Sequence, residues 1–125
     1  MSERLDRFAQ ELLTKTRLGK LDWRIHANPY GREQYFVNIQ EGYRFGLWQS
    51  VSGDSRAITL RLEADGHPAL ESIANNWPGI AGGVPAKEAI SRFRPYSDLF
   101  DAVRETVYGS EETLEKVEQL LRKIG

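Results

Sequence analysis

Between residues 21 and 64, apolar side chains recur at every second position in four successive runs: Leu21, Trp23, Ile25, Ala27; Tyr35, Val37, Ile39; Tyr43, Phe45, Leu47; and Ile58, Leu60, Leu62, Ala64. A period of two lines one face of a pleated strand and cannot line one face of a helix. Turn-forming residues separate the runs, at Asn28-Pro29-Tyr30-Gly31, Gln40-Glu41-Gly42 and Ser52-Gly53-Asp54-Ser55. Connections this short join antiparallel neighbours, so the runs predict a four-stranded antiparallel meander with one apolar and one polar face.

The turn around Gly42 sets the register, because residues facing each other across a hairpin lie on the same side of the sheet. A two-residue Glu41-Gly42 loop would set Ile39 opposite Arg44 and mix the faces. A three-residue Gln40-Glu41-Gly42 loop pairs Ile39 with Tyr43 and Val37 with Phe45, and it places Gly42 where a left-handed residue is needed. In that register Phe36 lies opposite Gly46 and Arg44 opposite Asn38.

Helical spacing flanks the strands. Leu5, Phe8, Ala9, Leu12 and Leu13 form an amphipathic stripe, with Ser2 as N-cap and Gly19 as the stop. Pro68 followed by Leu70, Ile73 and Ala74 predicts a short helix ended by Pro78 and Gly79. Residues 79–86 read as loop. A second short helix is expected over Lys87 to Phe93, before Pro95. A third, capped by Ser97, carries Leu99, Phe100, Val103 and Val107 and stops at Gly109. Ser110 caps the last, where Leu114, Val117, Leu121 and Ile124 make a stripe expected to enter the core. The predicted class is α+β: an N-terminal helix, a four-stranded antiparallel meander whose fourth strand is a sheet edge, then C-terminal helices packed on one sheet face. One globular domain over residues 1–125 is expected.

Composition removes several function classes. The chain has no Cys, which excludes a disulfide framework and a thiolate nucleophile. Its only histidines, His26 and His67, form no close ligand pair, and no metal site or cofactor is expected. The charged amino terminus and the lack of a long apolar run predict a cytoplasmic protein that does not enter a membrane. Net charge is −1, but it is unevenly spread. Residues 96–125 carry seven acidic against four basic groups, whereas all five basic residues between 21 and 65 are Arg: Arg24, Arg32, Arg44, Arg56 and Arg61. Arg suits planar anions and ring stacking better than Lys does. Pairing with Asp22, Glu33, Glu41, Asp54 and Glu63 is the ordinary use of such residues.

Two regions stand out as candidate sites. The polar sheet face gathers Arg24, His26, Phe36, Asn38, Gln40, Arg44, Trp48, Ser50, Thr59, Arg61 and Glu63 if the apolar set points inward. The second region, Trp77-Pro78-Gly79-Ile80-Ala81-Gly82-Gly83-Val84-Pro85, lacks the Gly-Lys-Ser/Thr ending of a phosphate loop and reads instead as a loop with an apolar anchor, rimmed by Arg92, Arg94 and Tyr96.

These features favour a small non-enzymatic protein that binds another protein. Trp48 and Trp77 would be its anchors, with Arg24, Arg44, Arg61 and Arg94 around them and Phe36 among the binding residues, since Trp and Arg are enriched among residues that carry binding energy. A second reading has the Arg and aromatic face take a nucleotide or single-stranded nucleic acid. A third is a His-dependent enzyme using His26 or His67, for which no orienting partner is visible. The last helix also offers a surface for a homodimer.

Overall fold

The computed structural model describes residues 3–27, 33–76, 86–109 and 111–124. Helix α1 (Glu3–Arg17) is followed by β1 (Arg24–Ala27), β2 (Glu33–Gln40), β3 (Tyr43–Ser52), β4 (Ser55–Ala64) and β5 (Leu70–Asn75), then by α2 (Ala86–Tyr108) and α3 (Glu111–Ile124). The strands form one antiparallel sheet in sequence order. The α+β meander is therefore as expected, with one strand more.

Alternation places Tyr35, Val37, Phe45, Leu47, Ile58 and Leu60 on the buried inner face. Helix α1 lays Leu5, Ala9 and Leu12 over that face, and α2 lays Phe93, Tyr96, Leu99, Phe100 and Val103 beside them. Edge-to-face ring pairs fix the contact: Phe8 with Phe45 at 5.8 Å, and Tyr35 with Phe100 at 5.7 Å between centroids. Trp23, only 4% exposed, donates its indole N–H to Thr16 Oγ1 at 2.9 Å and ties the sheet entry to α1.

The structure departs from the sequence reading at five points, each with a physical reason. Residues 70–75 form a strand, although Leu70, Ile73 and Ala74 have helical spacing. Six residues are too few to bury a helical stripe, whereas pairing with β4 satisfies a row of backbone groups that would otherwise form an open edge. In consequence β4 is an interior strand, and the edges are β1 and β5.

The two helices expected on either side of Pro95 are one continuous helix, α2. An internal proline costs about 3 kcal/mol. Burying each large apolar side chain contributes roughly 1.5–3 kcal/mol, and the stripe from Phe93 to Val103 crosses Pro95 unbroken.

At the β2–β3 turn, Val37 faces Phe45, Phe36 faces Gly46 and Asn38 faces Arg44, as expected, but Gln40 rather than Ile39 faces Tyr43. The extra residue is taken up as a bulge in β2 between Asn38 and Gln40, so the turn itself needs only Glu41 and Gly42. Gly42 adopts φ +85°, the left-handed conformation anticipated for it.

The fifth departure concerns α3. Its described side chains, from 114 to 124, are all exposed. Leu114, Val117, Leu121 and Ile124, expected in the core, are 54%, 45%, 62% and 82% exposed. Amphipathic spacing requires a cover but does not say which molecule supplies it. The expected caps at Ser2 and Ser110, the turn at 28–31 and, apart from Ala86 at the start of α2, the loop at 79–86 lie outside the described residues.

A hydrogen-bonded node locks both helices to the edge strand. The Tyr96 hydroxyl donates to Asp6 Oδ1 at 2.6 Å and lies 2.9 Å from Ser72 Oγ. Arg92 donates to Asp6 Oδ2 at 3.2 Å, to Ser72 Oγ at 2.5 Å and to the Ile73 carbonyl at 2.7 Å. Burial, and then the bond to Asp6, push the Tyr96 hydroxyl up to about 12. A phenol pKa raised in the folded state gives stability that is complete below the unfolded value, about 10, and is lost as pH rises through the folded one. Thermal unfolding should therefore hold steady to about pH 10 and drop beyond it. Tyr96→Phe, measured by denaturant unfolding, should cost roughly 1–2 kcal/mol at neutral pH by removing the hydroxyl's bond to the Asp6 carboxylate and its contact with Ser72, and it should shallow the alkaline drop; unchanged stability would contradict the node's role.

Candidate functional site

Because α1 and α2 both pack on the inner face, the outer face of the sheet carries no helix among those in the core. Register then aligns its side chains in rows across the strands. One row runs Arg24, Phe36, Gly46, Arg61, Glu71, and the next runs His26, Gln34, Trp48, Thr59, Ile73. A third places Asn38, Arg44 and Glu63 side by side.

Gly46 is the centre of this arrangement. A Cβ added there would lie 2.9 Å from Phe36 Cε1 and 3.4 Å from Trp48 Cζ3, so both rings rest on bare backbone. The Arg44 guanidinium stacks over the Phe36 ring at 4.4 Å, and His26 meets the same ring edge-on at 6.1 Å. Phe36 and Trp48 are half-buried, and Ile73 beside them is 52% exposed. The result is an apolar centre of two rings and one aliphatic side chain with cations around it.

Each of these cations meets a carboxylate. Arg24 pairs with Asp22 at 2.7 Å, Arg44 with Glu63 at 2.5 Å, and Arg61 with Glu71 at 3.0 Å and with Glu63 at 3.7 Å. Toward the β4–β5 turn the face continues into a polar recess of about 510 Å³, where Asn38, Arg44, Arg61 and Glu63 are joined by Asp65 and His67. The three arginines and the three carboxylates balance, so the face is polar and stacked but has no surplus positive charge.

Of the residues singled out from sequence, Trp48, Phe36, Arg24, Arg44 and Arg61 come together on this face. Arg94 does not join them, since it lies on α2 on the opposite side of the sheet. Trp77 lies outside the described residues. Sequence reasoning missed Glu71 and Ile73, because their segment was read as a helix. The signal that could have found them is Glu71, Ile73 and Asn75 alternating with Leu70, Ser72 and Ala74. His26 stays on the outer face and His67 sits in the turn, where its backbone N–H donates to the Ala64 carbonyl at 3.1 Å. Among the described residues no group of three or more acidic, His or Cys side chains could hold a metal ion.

Comparison with protein-family models, with curated proteins and with solved structures returns no match.

The hydrogen bond from Arg44 holds the Glu63 carboxyl below its ordinary range, against an opposing push from burial. A depressed carboxylate pKa contributes stability that is present above the unfolded value and lost as pH falls through the folded one. In Arg44→Ala the Glu63 titration midpoint, followed by carboxyl carbon NMR, should therefore move up; an unmoved midpoint would mean the pair does not form in solution.

Proposed function

We propose that this chain is a small non-enzymatic binding protein whose open outer sheet face receives another protein. One observation carries the reading. The aromatic centre formed by Phe36 and Trp48 with Ile73 is ringed by arginines that are matched one for one by Asp22, Glu63 and Glu71. A desolvatable apolar centre inside a rim of balanced charges is the anatomy of a protein-binding surface, and Trp and Arg are the residues that most often carry the energy there.

The same rings offer a stacking platform for a nucleotide or a single strand, with Arg44 on Phe36 as a ready cation. Charge decides between the two readings. Polyanion binding draws most of its energy from neutralising phosphates with unmatched cations, and here the carboxylates would face the phosphates beside every arginine. A His-dependent reaction is weaker still, because His26 meets a phenyl ring edge-on, and a phenyl ring cannot orient an imidazole for proton transfer as a carboxylate would.

Affinity capture from native lysate with wild type and Trp48→Ala tests the proposal, with circular dichroism confirming that both are folded. A protein retained by wild type should be lost from the variant, with binding weakened by about 30-fold or more for a central anchor. Retention should change little between low and moderate salt. Binding of a single-stranded oligonucleotide that falls steeply with salt and disappears in Arg44→Ala would instead support the nucleic-acid reading and overturn this one.

A further inference from the structure

The partner proposed for the outer face can be specified further, on the strength of that reading, from the groups the face leaves unpaired. Two common modes of peptide recognition do not fit it. Addition of a strand needs a free sheet edge, but the Ile73 carbonyl in the middle of β5 already accepts from Arg92 at 2.7 Å, and β1 is only four residues long. A docked helix needs an apolar strip spread over several turns, whereas the apolar centre here is three side chains closed in by ion pairs.

What the face leaves open near its rings are N–H donors. The Trp48 indole N–H meets no acceptor among the described residues and is not buried, unlike that of Trp23, which donates to Thr16. Arg44 donates its Nε–H to Glu63, and Arg61 donates from one Nη to Glu71. Both Nη groups of Arg44 and the second of Arg61 make no hydrogen bond to a described residue. Charge is matched here, but these donors are not. A segment that brings carbonyls and no N–H of its own answers both conditions. Proline is the residue whose backbone has that character, and a proline-rich segment holds the polyproline II helix without internal hydrogen bonds, so its carbonyls stay free for outside donors and little freedom is lost on binding.

Spacing gives such a segment a direction. Trp48, Thr59 and Ile73 stand side by side on β3, β4 and β5. Thr59 is small and 6% exposed while Ile73 is 52% exposed, so Trp48 and Ile73 flank a dip in the face. Two strand spacings separate the flanking residues, roughly 9.6 Å. Three residues of polyproline II rise roughly 9.3 Å. Arg61 is two residues from Thr59 on the same face of β4, beside this path. We infer that the outer face binds a proline-rich segment of its protein partner, lying across the strands with prolines three residues apart seated on Trp48 and Ile73.

Titration of the full chain with decaproline, read by NMR on the assigned indole N–H resonances, tests this. Up to about 2 mM peptide, where millimolar affinity is populated, the Trp48 resonance should shift and saturate while that of Trp23 stays in place. A Gly-Ser peptide of the same length should move neither. Ile73→Ala, checked for folding by circular dichroism, should weaken binding by about 5-fold or more through loss of an anchor. Val51→Ala, at the exposed far end of β3, should leave it unchanged. An unmoved Trp48 resonance would overturn the inference, as would a shift that the Gly-Ser peptide reproduces or that Ile73→Ala leaves at full affinity. If decaproline fails while a lysate protein is still retained by wild type and lost from Trp48→Ala, the protein-binding reading stands without its proline-rich partner; if both fail, that reading falls as well.

Discussion

The node of Asp6, Tyr96, Arg92 and Ser72 is the contact on which the layering of this protein turns. It joins the first turns of α1, the middle of α2 and the edge strand β5 through hydrogen bonds of 2.5–3.5 Å. Both helices are thereby held over the same side of the sheet. Small side chains at Ser72 and Ala74 on the inner face of β5 leave room for that approach, and both are buried. With two core-forming helices committed to one face, the other face has, among the described residues, only its own side chains for cover. The Phe36 and Trp48 rings over Gly46, and the Arg44 guanidinium over Phe36, form that cover.

An outer face built this way is stable without being inert. Its ion pairs are partly exposed, and pairs of that kind contribute little to folding, about 0–1 kcal/mol each. Their larger consequence is electrostatic: they cancel the charge of an arginine-rich region, so that a partner of the kind proposed would be selected by direction and geometry. The uneven charge of the chain reappears on α3, where glutamates crowd the first half and Arg122 and Lys123 occupy the last turn.

Much of this was legible in the sequence, and the failures have specific causes. Period-two alternation predicted four strands, and the requirement that faces not mix was enough to place Phe36 over Gly46 and Arg44 beside Asn38. The same argument missed the bulge at Ile39, because a bulge in the strand and a longer turn both restore the faces and differ only in which residue is left over. Pro68 with Leu70, Ile73 and Ala74 imitates a helix start; what overrides it is the unpaired edge of β4, a tertiary demand invisible in a short window. Pro95 imitates a helix end, and the continuous stripe on both sides of it prevails. Glu71 and Ile73 were lost from the candidate face through the β5 error alone. The stripe of α3 was read correctly as apolar and wrongly as internal, since spacing reports a buried face and is silent on whose surface buries it.

The face bearing Phe36 and Trp48 is open among the described residues, while the face bearing Trp23 is closed by α1 and α2. Paramagnetic relaxation by a soluble neutral gadolinium chelate, read on assigned aromatic ring protons, tests this directly. Strong attenuation is expected for Trp48 and Phe36, with Trp23, Tyr35 and Tyr96 protected. Equal protection of Trp48 and Trp23 would mean that the outer face is covered.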